Sequence, residues 1–252
     1  MENHRLLVDR GRPQRRGHAG TQCRRTARRR RQLIAARDLS FAYPGGGFAL
    51  KVPALDVAPS ERVGVIGPSG TGKTTLLNLV AGMVRADAGA LTVAGSDLAT
   101  LDDAARRRFR ATHVGFIFQN FALVDYLNAY ENILYPYRVG LGLRLDAQVR
   151  DRARALAEAC GIAHRLKSHP AALSGGEQQR VAICRALVTQ PKLILADEAT
   201  GNLDPETKEA ILDLLFDRAS DMQATVLAVT HDHDLLPRFD RVIDFATLRQ
   251  PA

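Results

Sequence analysis

From residue 33 onward the chain carries apolar runs whose period keeps changing. Leu33–Tyr43 alternates loosely, Pro44-Gly45-Gly46-Gly47 interrupts it as a turn, and Phe48–Val57 resumes an extended pattern closed by Pro59. Arg62–Ile66 (RVGVI) is a short, β-branched apolar run entering a glycine-rich loop, after which Thr74–Val84 takes up helical spacing. Ala90–Ala94 and Val114–Phe118 are predicted strands, and Leu127 to about Leu187 reads as mainly helical. Leu193–Ala196 and Thr225–Val229 have the all-apolar character of buried strands, with a helical stretch, Glu206–Ala219, between them. Strands alternating with helices predict an α/β fold with a mostly parallel sheet covered on both faces. No internal repeat is visible.

Composition narrows the class. A chain of 252 residues suits one substantial domain or two small ones, and 46% apolar with 25% charged residues is the balance of a soluble globular protein. No stretch approaches the roughly 18 consecutive apolar residues that span a bilayer. The first thirty-odd residues hold no apolar core of a signal peptide, so none is expected. Cys23, Cys160 and Cys184 are odd in number and far apart, which argues against a disulfide framework or metal cluster and fits a reducing compartment.

The net charge of +8 is unevenly placed. Residues 1–31 carry eleven arginines against Glu2 and Asp9, a net of +9, which leaves the rest of the chain at −1. The basic pI therefore describes the 1–31 segment, and its Arg- and Gly-rich composition predicts disorder. Three readings stand for it: a solvated extension or misassigned start, attraction to anionic lipid headgroups at about 1 kcal/mol per basic residue, or nucleic-acid binding. The last is disfavoured because no aromatics are interleaved to stack on bases.

Residues 67–74 read GPSGTGKT, placed between the strand RVGVI and the helix TTLLNLV. Gly67, Pro68, Ser69, Gly70, Thr71 and Gly72 form a loop whose backbone N–H groups can turn inward around phosphate oxygens, at a helix N-terminus whose dipole favours anions. Lys73 would reach the β- and γ-phosphates, Thr74 would ligate Mg²⁺, and Thr75 completes the turn. The pattern points to a nucleotide's phosphates with Mg²⁺. Residues 192–198, KLILADE, form an apolar strand ending in two acids. Asp197 would hold Mg²⁺ directly or through water, while Glu198, directed differently, could orient or deprotonate an attacking water.

Residues 173–179 read LSGGEQQ and are followed by RVAICRAL. Ser174, Gly175 and Gly176 open a helix and offer a second anion cradle of free N–H groups. This run, its place before the Asp-Glu strand and the phosphate loop together resemble the ATP-binding-cassette (ABC) family. The resemblance extends over about residues 33–245. It implies a P-loop NTPase core with an N-terminal antiparallel β subdomain and an inserted α-helical subdomain at about 120–190, the cassette occupying residues 32–252. It also implies that Tyr43 stacks on adenine and that Gln119 senses Mg²⁺ and the γ-phosphate. Asp204, in ATGNLD, would lie in the loop through which subunits communicate, and His231 would contact the γ-phosphate. A metal pair of His231 with His233 is the lesser alternative. The family pairs two subunits head-to-tail, the signature of one closing on nucleotide held by the other.

Within the family, ADEATGNLD and the interval from Gln119 to Ser174 resemble ATPase subunits of lipoprotein-release, macrolide-export and cell-division complexes. Such subunits pair with a separate transmembrane permease at the cytoplasmic face of the membrane. The resemblance implies an ATPase homodimer powering such a permease. An ATPase that gates a partner without moving cargo, and a soluble cassette acting on nucleic acid, are the alternatives. The nucleic-acid reading is weakened by the lack of inserted coiled coils, zinc modules or a second cassette. Asn120–Asn132, with Phe121, Leu123, Tyr126 and Leu127, is the expected partner surface or else internal core. Two departures stand out: Ala199 where these relatives usually carry Pro, and a shortened C-terminal strand and helix after Arg241–Phe245.

Overall fold

The computed structural model describes residues 32–45, 47–140, 142–201 and 203–248. The Arg-rich 1–31 segment, Gly46 of the predicted turn and Asn202 of ATGNLD lie outside the described residues.

The chain opens with a four-stranded antiparallel sheet. β1 (Ile34–Ala42) is flanked by β2 (Ala49–Val57) and β4 (Ala88–Val93), and β5 (Ser96–Asp97) ends the sheet. Alternation places Ile34, Ala36, Leu39 and Phe41 of β1 inward. The one-residue slip after Ala36 is a bulge: Asp38 takes a φ of +47° and the register with β4 shifts between Arg37 and Ser40. Gly89 is required opposite it, because a Cβ there would stand 2.4 Å from the Asp38 carbonyl oxygen.

The second sheet is wholly parallel, in the order β6 (Val114–Ile117), β7 (Leu193–Asp197), β8 (Thr225–Val229), β3 (Arg62–Ile66), β9 (Arg241–Asp244). Its central strands are apolar on both sides because both faces are covered. Ile194, Ala196, Val226 and Ala228 face one core, and Leu193, Leu195, Leu227 and Val229 face the other. Burying each such large side chain contributes about 1.5–3 kcal/mol. The first core lies under α3 (Ala129–Val139), α4 (Ala147–Ala159), α5 (Gly175–Leu187) and α6 (Pro205–Asp221); the second lies under the antiparallel sheet and α1 (Lys73–Val80). A short α7 (Phe245–Leu248) buries Phe245 against the second core.

Two helical expectations are corrected. The helix after the phosphate loop stops at Val80 rather than Val84, because Gly82 adopts a left-handed φ of +65°. An unpredicted helix, α2 (Asp103–His113), is capped by Asp102 and buries only Phe109, too thin an apolar period to register in the pattern. The parallel strands place the C-terminal ends of β3, β6, β7 and β8 along one edge, where an open α/β sheet binds ligands.

Candidate functional site

The phosphate loop runs from the end of β3 into α1. Gly67, Gly70 and Gly72 take φ values of +146°, +75° and +104°, which glycine adopts without steric cost. Gly72 is doubly constrained, since a Cβ on it would lie 2.5 Å from the Phe48 ring. The Lys73 ammonium is buried and donates to the carbonyls of Gly67 (2.7 Å) and Pro68 (2.8 Å), so it already lies across the loop. The Thr71 hydroxyl donates to Pro68 O at 2.8 Å and tightens the same turn. A cleft of about 350 Å³ opens here, lined by Tyr43, Phe48, Ser69, Gly70, Gly72, Lys73, Thr74, Thr75, Glu198 and Val229. A larger hollow of about 450 Å³, around Arg62, Phe216 and Asp240, lies at the start of β3, the opposite end of that strand from the loop.

Opposite the loop, β7 ends in Asp197. The Thr74 hydroxyl donates to Asp197 Oδ1 at 3.2 Å, bringing together two hard oxygen donors from positions far apart in sequence. Burial raises the Asp197 carboxyl above its ordinary range, with the Glu198 charge adding to the rise; the Thr74 hydrogen bond and the Lys73 charge oppose it. A hydroxyl and a carboxylate beside a cationic phosphate loop fit the oxygen preference of Mg²⁺.

Glu198 leaves the strand with a φ of +48°, unusual for a side-chain-bearing residue. The turn is held by Glu198 N–H donating to Val229 O at 3.0 Å and Gly201 N–H donating to Glu198 O at 2.9 Å. Its carboxylate is gripped from two sides. Gln119, beyond β6, donates through Nε2 to Glu198 Oε2 at 2.8 Å, and His231, just past β8, places Nδ1 3.3 Å from Oε1. Three strand ends thus converge on one carboxylate at the rim of the cleft. Such strained backbone clusters where function fixes a side chain.

Tyr43 projects half-exposed at the cleft, edge-on to Phe41, with its hydroxyl 3.4 Å from Thr75 Oγ1. Asp204 caps α6, and hydrogen bonds from the Thr207 side chain and from Thr207 N–H, the latter at 3.0 Å, draw its carboxyl below the ordinary range. Ser174 caps α5 in a reciprocal box: its hydroxyl accepts from Glu177 N–H at 3.3 Å, and its own N–H donates to Glu177 Oε2 at 2.8 Å. None of Ser174, Gly175 and Gly176 lines the cleft.

Sequence reasoning passed over two residues. Arg185 is buried inside α5 and donates to the carbonyls of Phe121 and Ala122, both in left-handed conformation, clamping the loop behind Gln119 to α5. Burial lowers its guanidinium to about 10. The signal was present: a charge in the middle of the apolar run VAICRAL. Asn132, fully buried, accepts from Val124 N–H and donates to the carbonyls of Val124, Leu127 and Asn128, pinning the same loop. The expected four-residue apolar surface is thereby reduced. Leu127 is buried, Leu123 packs on the first core, and Tyr126 stands 79% exposed.

This arrangement is a nucleoside-triphosphate hydrolase site of the P-loop class. Residues 50–201 match the family described as ABC transporter. The chain is 42% identical over 214 residues to the lipoprotein-releasing system ATP-binding protein LolD of Pseudomonas fluorescens, covering 84% of this chain and 93% of that protein. It is 44% identical over 189 residues to the uncharacterized ABC transporter ATP-binding protein YbbA of Escherichia coli K12, covering 75% and 82%. Among solved structures, the dimeric ATP-binding cassette MJ0796 bound to ADP and Pi in a post-hydrolysis state superimposes with a TM-score of 0.74 at 31% identity, covering 84% and 93%. The chain belongs to the ABC transporter family, and it is an ATP-binding, ATP-hydrolysing subunit of that family. No helix among the described residues is long and apolar enough to cross a membrane.

Proposed function

We propose that residues 32–252 form a cassette that works as a head-to-tail homodimer, closing on two ATP molecules to drive a separate membrane permease of the lipoprotein-release or export type. On this reading the subunit sits peripherally on the cytoplasmic face of the membrane. The reading is supported by the naming of its LolD relatives and by the dimeric state of MJ0796. Tyr43 stacks on adenine, the Gly67–Gly72 loop and Lys73 take the phosphates, and Ser174 to Gly176 of the partner close on the γ-phosphate. Thr74 and Asp197, with Gln119 nearby, would hold Mg²⁺, whose charge would offset that of the phosphate oxygens. Glu198 accepts the proton of the attacking water, while His231 and Gln119 fix the carboxylate's direction for in-line transfer. Asp204, at the tip of α6, faces the neighbouring subunit. The hollow of about 250 Å³ around Phe118, Ala122, Tyr135 and Val139 takes a helix of the permease, with exposed Tyr126 on the same loop as Ala122.

The observation that carries this reading is the convergence of Gln119 and His231 on Glu198 beside the phosphate loop. Glu198→Gln should keep ATP binding and lower turnover by about 10²–10⁴-fold, the usual contribution of a general base. Undiminished hydrolysis would remove Glu198 from that role.

A further inference from the structure

The signature helix carries a side chain that the chemistry above does not use. Gln179, in the second turn of α5, is fully buried, and neither its amide oxygen nor its amide nitrogen has a hydrogen-bond partner. Asn132, an equally buried amide, meets four backbone groups, so the fold can satisfy such a side chain where a single arrangement suffices. An amide taken out of water with both ends unmet costs the desolvation of each, whereas an apolar side chain of the same length would not. A buried group of this kind calls for a partner supplied in another arrangement.

Its place in the helix says which partner. Gly175, Gly176 and Gln179 share one face of α5, by their spacing of three and four. That face lies on the segment after Glu198: a Cβ on Gly175 would come within 3.5 Å of Leu203 Cδ2, and one on Gly176 within 3.1 Å of Thr207 Cγ2. One turn further along, Ile183 joins Ile211 of α6 in the first core. Gln179 therefore stands between the signature tip and the turn that runs from Glu198 to Asp204. In that turn Thr200 is buried and the backbone closes on itself through Gly201 N–H to Glu198 O and Leu203 N–H to Thr200 O.

We propose that Gln179 is a positioning residue for ATP hydrolysis, its amide engaging the backbone at Ala199–Gly201 when two subunits close on nucleotide. The unmet amide disfavours the open arrangement and the satisfied one favours the closed, so the side chain biases the equilibrium toward closure. Signature tip and the turn behind the catalytic base then move as one body. The inference rests on the head-to-tail reading above.

The test uses Gln179→Leu in the full-length chain, alone and combined with Glu198→Gln. The single variant should melt at or above the wild-type temperature and keep KM for ATP within about twofold, while kcat falls about tenfold, the equivalent of one amide hydrogen bond. ATP-driven dimerisation of the double variant should be about tenfold weaker than that of Glu198→Gln, for the same reason. Wild-type kcat in Gln179→Leu overturns the proposal. So does a kcat loss accompanied by a lowered melting temperature, the pattern of a packing defect. If Glu198→Gln itself fails to dimerise with ATP, the head-to-tail reading fails, and the kcat and melting temperature of Gln179→Leu still decide the positioning role.

Discussion

Asp197 and Glu198 are neighbours in sequence with opposite surroundings. Asp197 looks inward to Thr74, and burial holds its carboxyl above the ordinary carboxylate range. A raised native value means that the folded chain keeps this proton to higher pH than the unfolded chain does. Stability then falls as pH rises through the interval between the two values, and above it the ionised group is a standing cost to the fold. Asp197→Asn should therefore melt higher than wild type at neutral pH, the gap closing below about pH 4, the unfolded carboxylate range. The same variant should lose Mg²⁺-dependent hydrolysis. Melting curves from pH 3 to 8 beside ATPase assays check both. An equal or lower melting temperature at pH 7 would show that Asp197 is not carrying an uncompensated charge. Both acids of KLILADE were legible because the chain also carries the phosphate loop GPSGTGKT, beside which such a strand end has a use. The left-handed turn at Glu198 and its grip by Gln119, 79 positions away, were not, since they depend on the order of strands in the sheet.

Elements were legible where their apolar period was strong. RVGVI, KLILA and TVLAV became the three central strands because each is buried on both faces. The helix α2 was missed because it lays only Phe109 into the core. The run Asn120–Asn132 stayed open between partner surface and internal core because Leu123 and Leu127 look identical in either role until Asn132 and Arg185 fold the loop inward. Packing between elements also carries constraints that no period reveals. Gly115 of β6 lies against α5, and a Cβ there would stand 2.4 Å from the Ala186 carbonyl oxygen. The Ala186 backbone and, at 3.1 Å, the Pro191 ring are stiff neighbours that yield little. Gly115→Ala should cost about 1–3 kcal/mol as an overpacked contact, lowering the melting temperature by about 2–4 °C per kcal/mol in a chain of this size. Thermal denaturation decides it; an unchanged midpoint would mean that β6 and α5 slide apart freely.

At the scale of the whole molecule, the order of motifs along the chain was enough to identify the family, whereas the proposed pairing of subunits rests on the absence of the Ser174–Gly176 tip from the cleft beside the phosphate loop. If each complete site uses the phosphate loop of one chain and the signature of another, two inactive variants should rescue each other. Lys73→Ala leaves its signature sound, and Gly176→Asp leaves its loop sound. Each alone should be inactive. Mixed in equal amounts, they should recover up to about a quarter of wild-type ATPase activity, since half of random pairs are mixed and each holds one intact site. A mixture no more active than its components would argue against sites shared between chains.

The cleft of a single chain contains no residue from its own signature tip. If the head-to-tail pairing proposed above holds, a solitary copy is an unfinished machine: it would load fuel but lack the part that fires it. On that reading, surplus subunits kept apart would sit idle on their ATP rather than waste it.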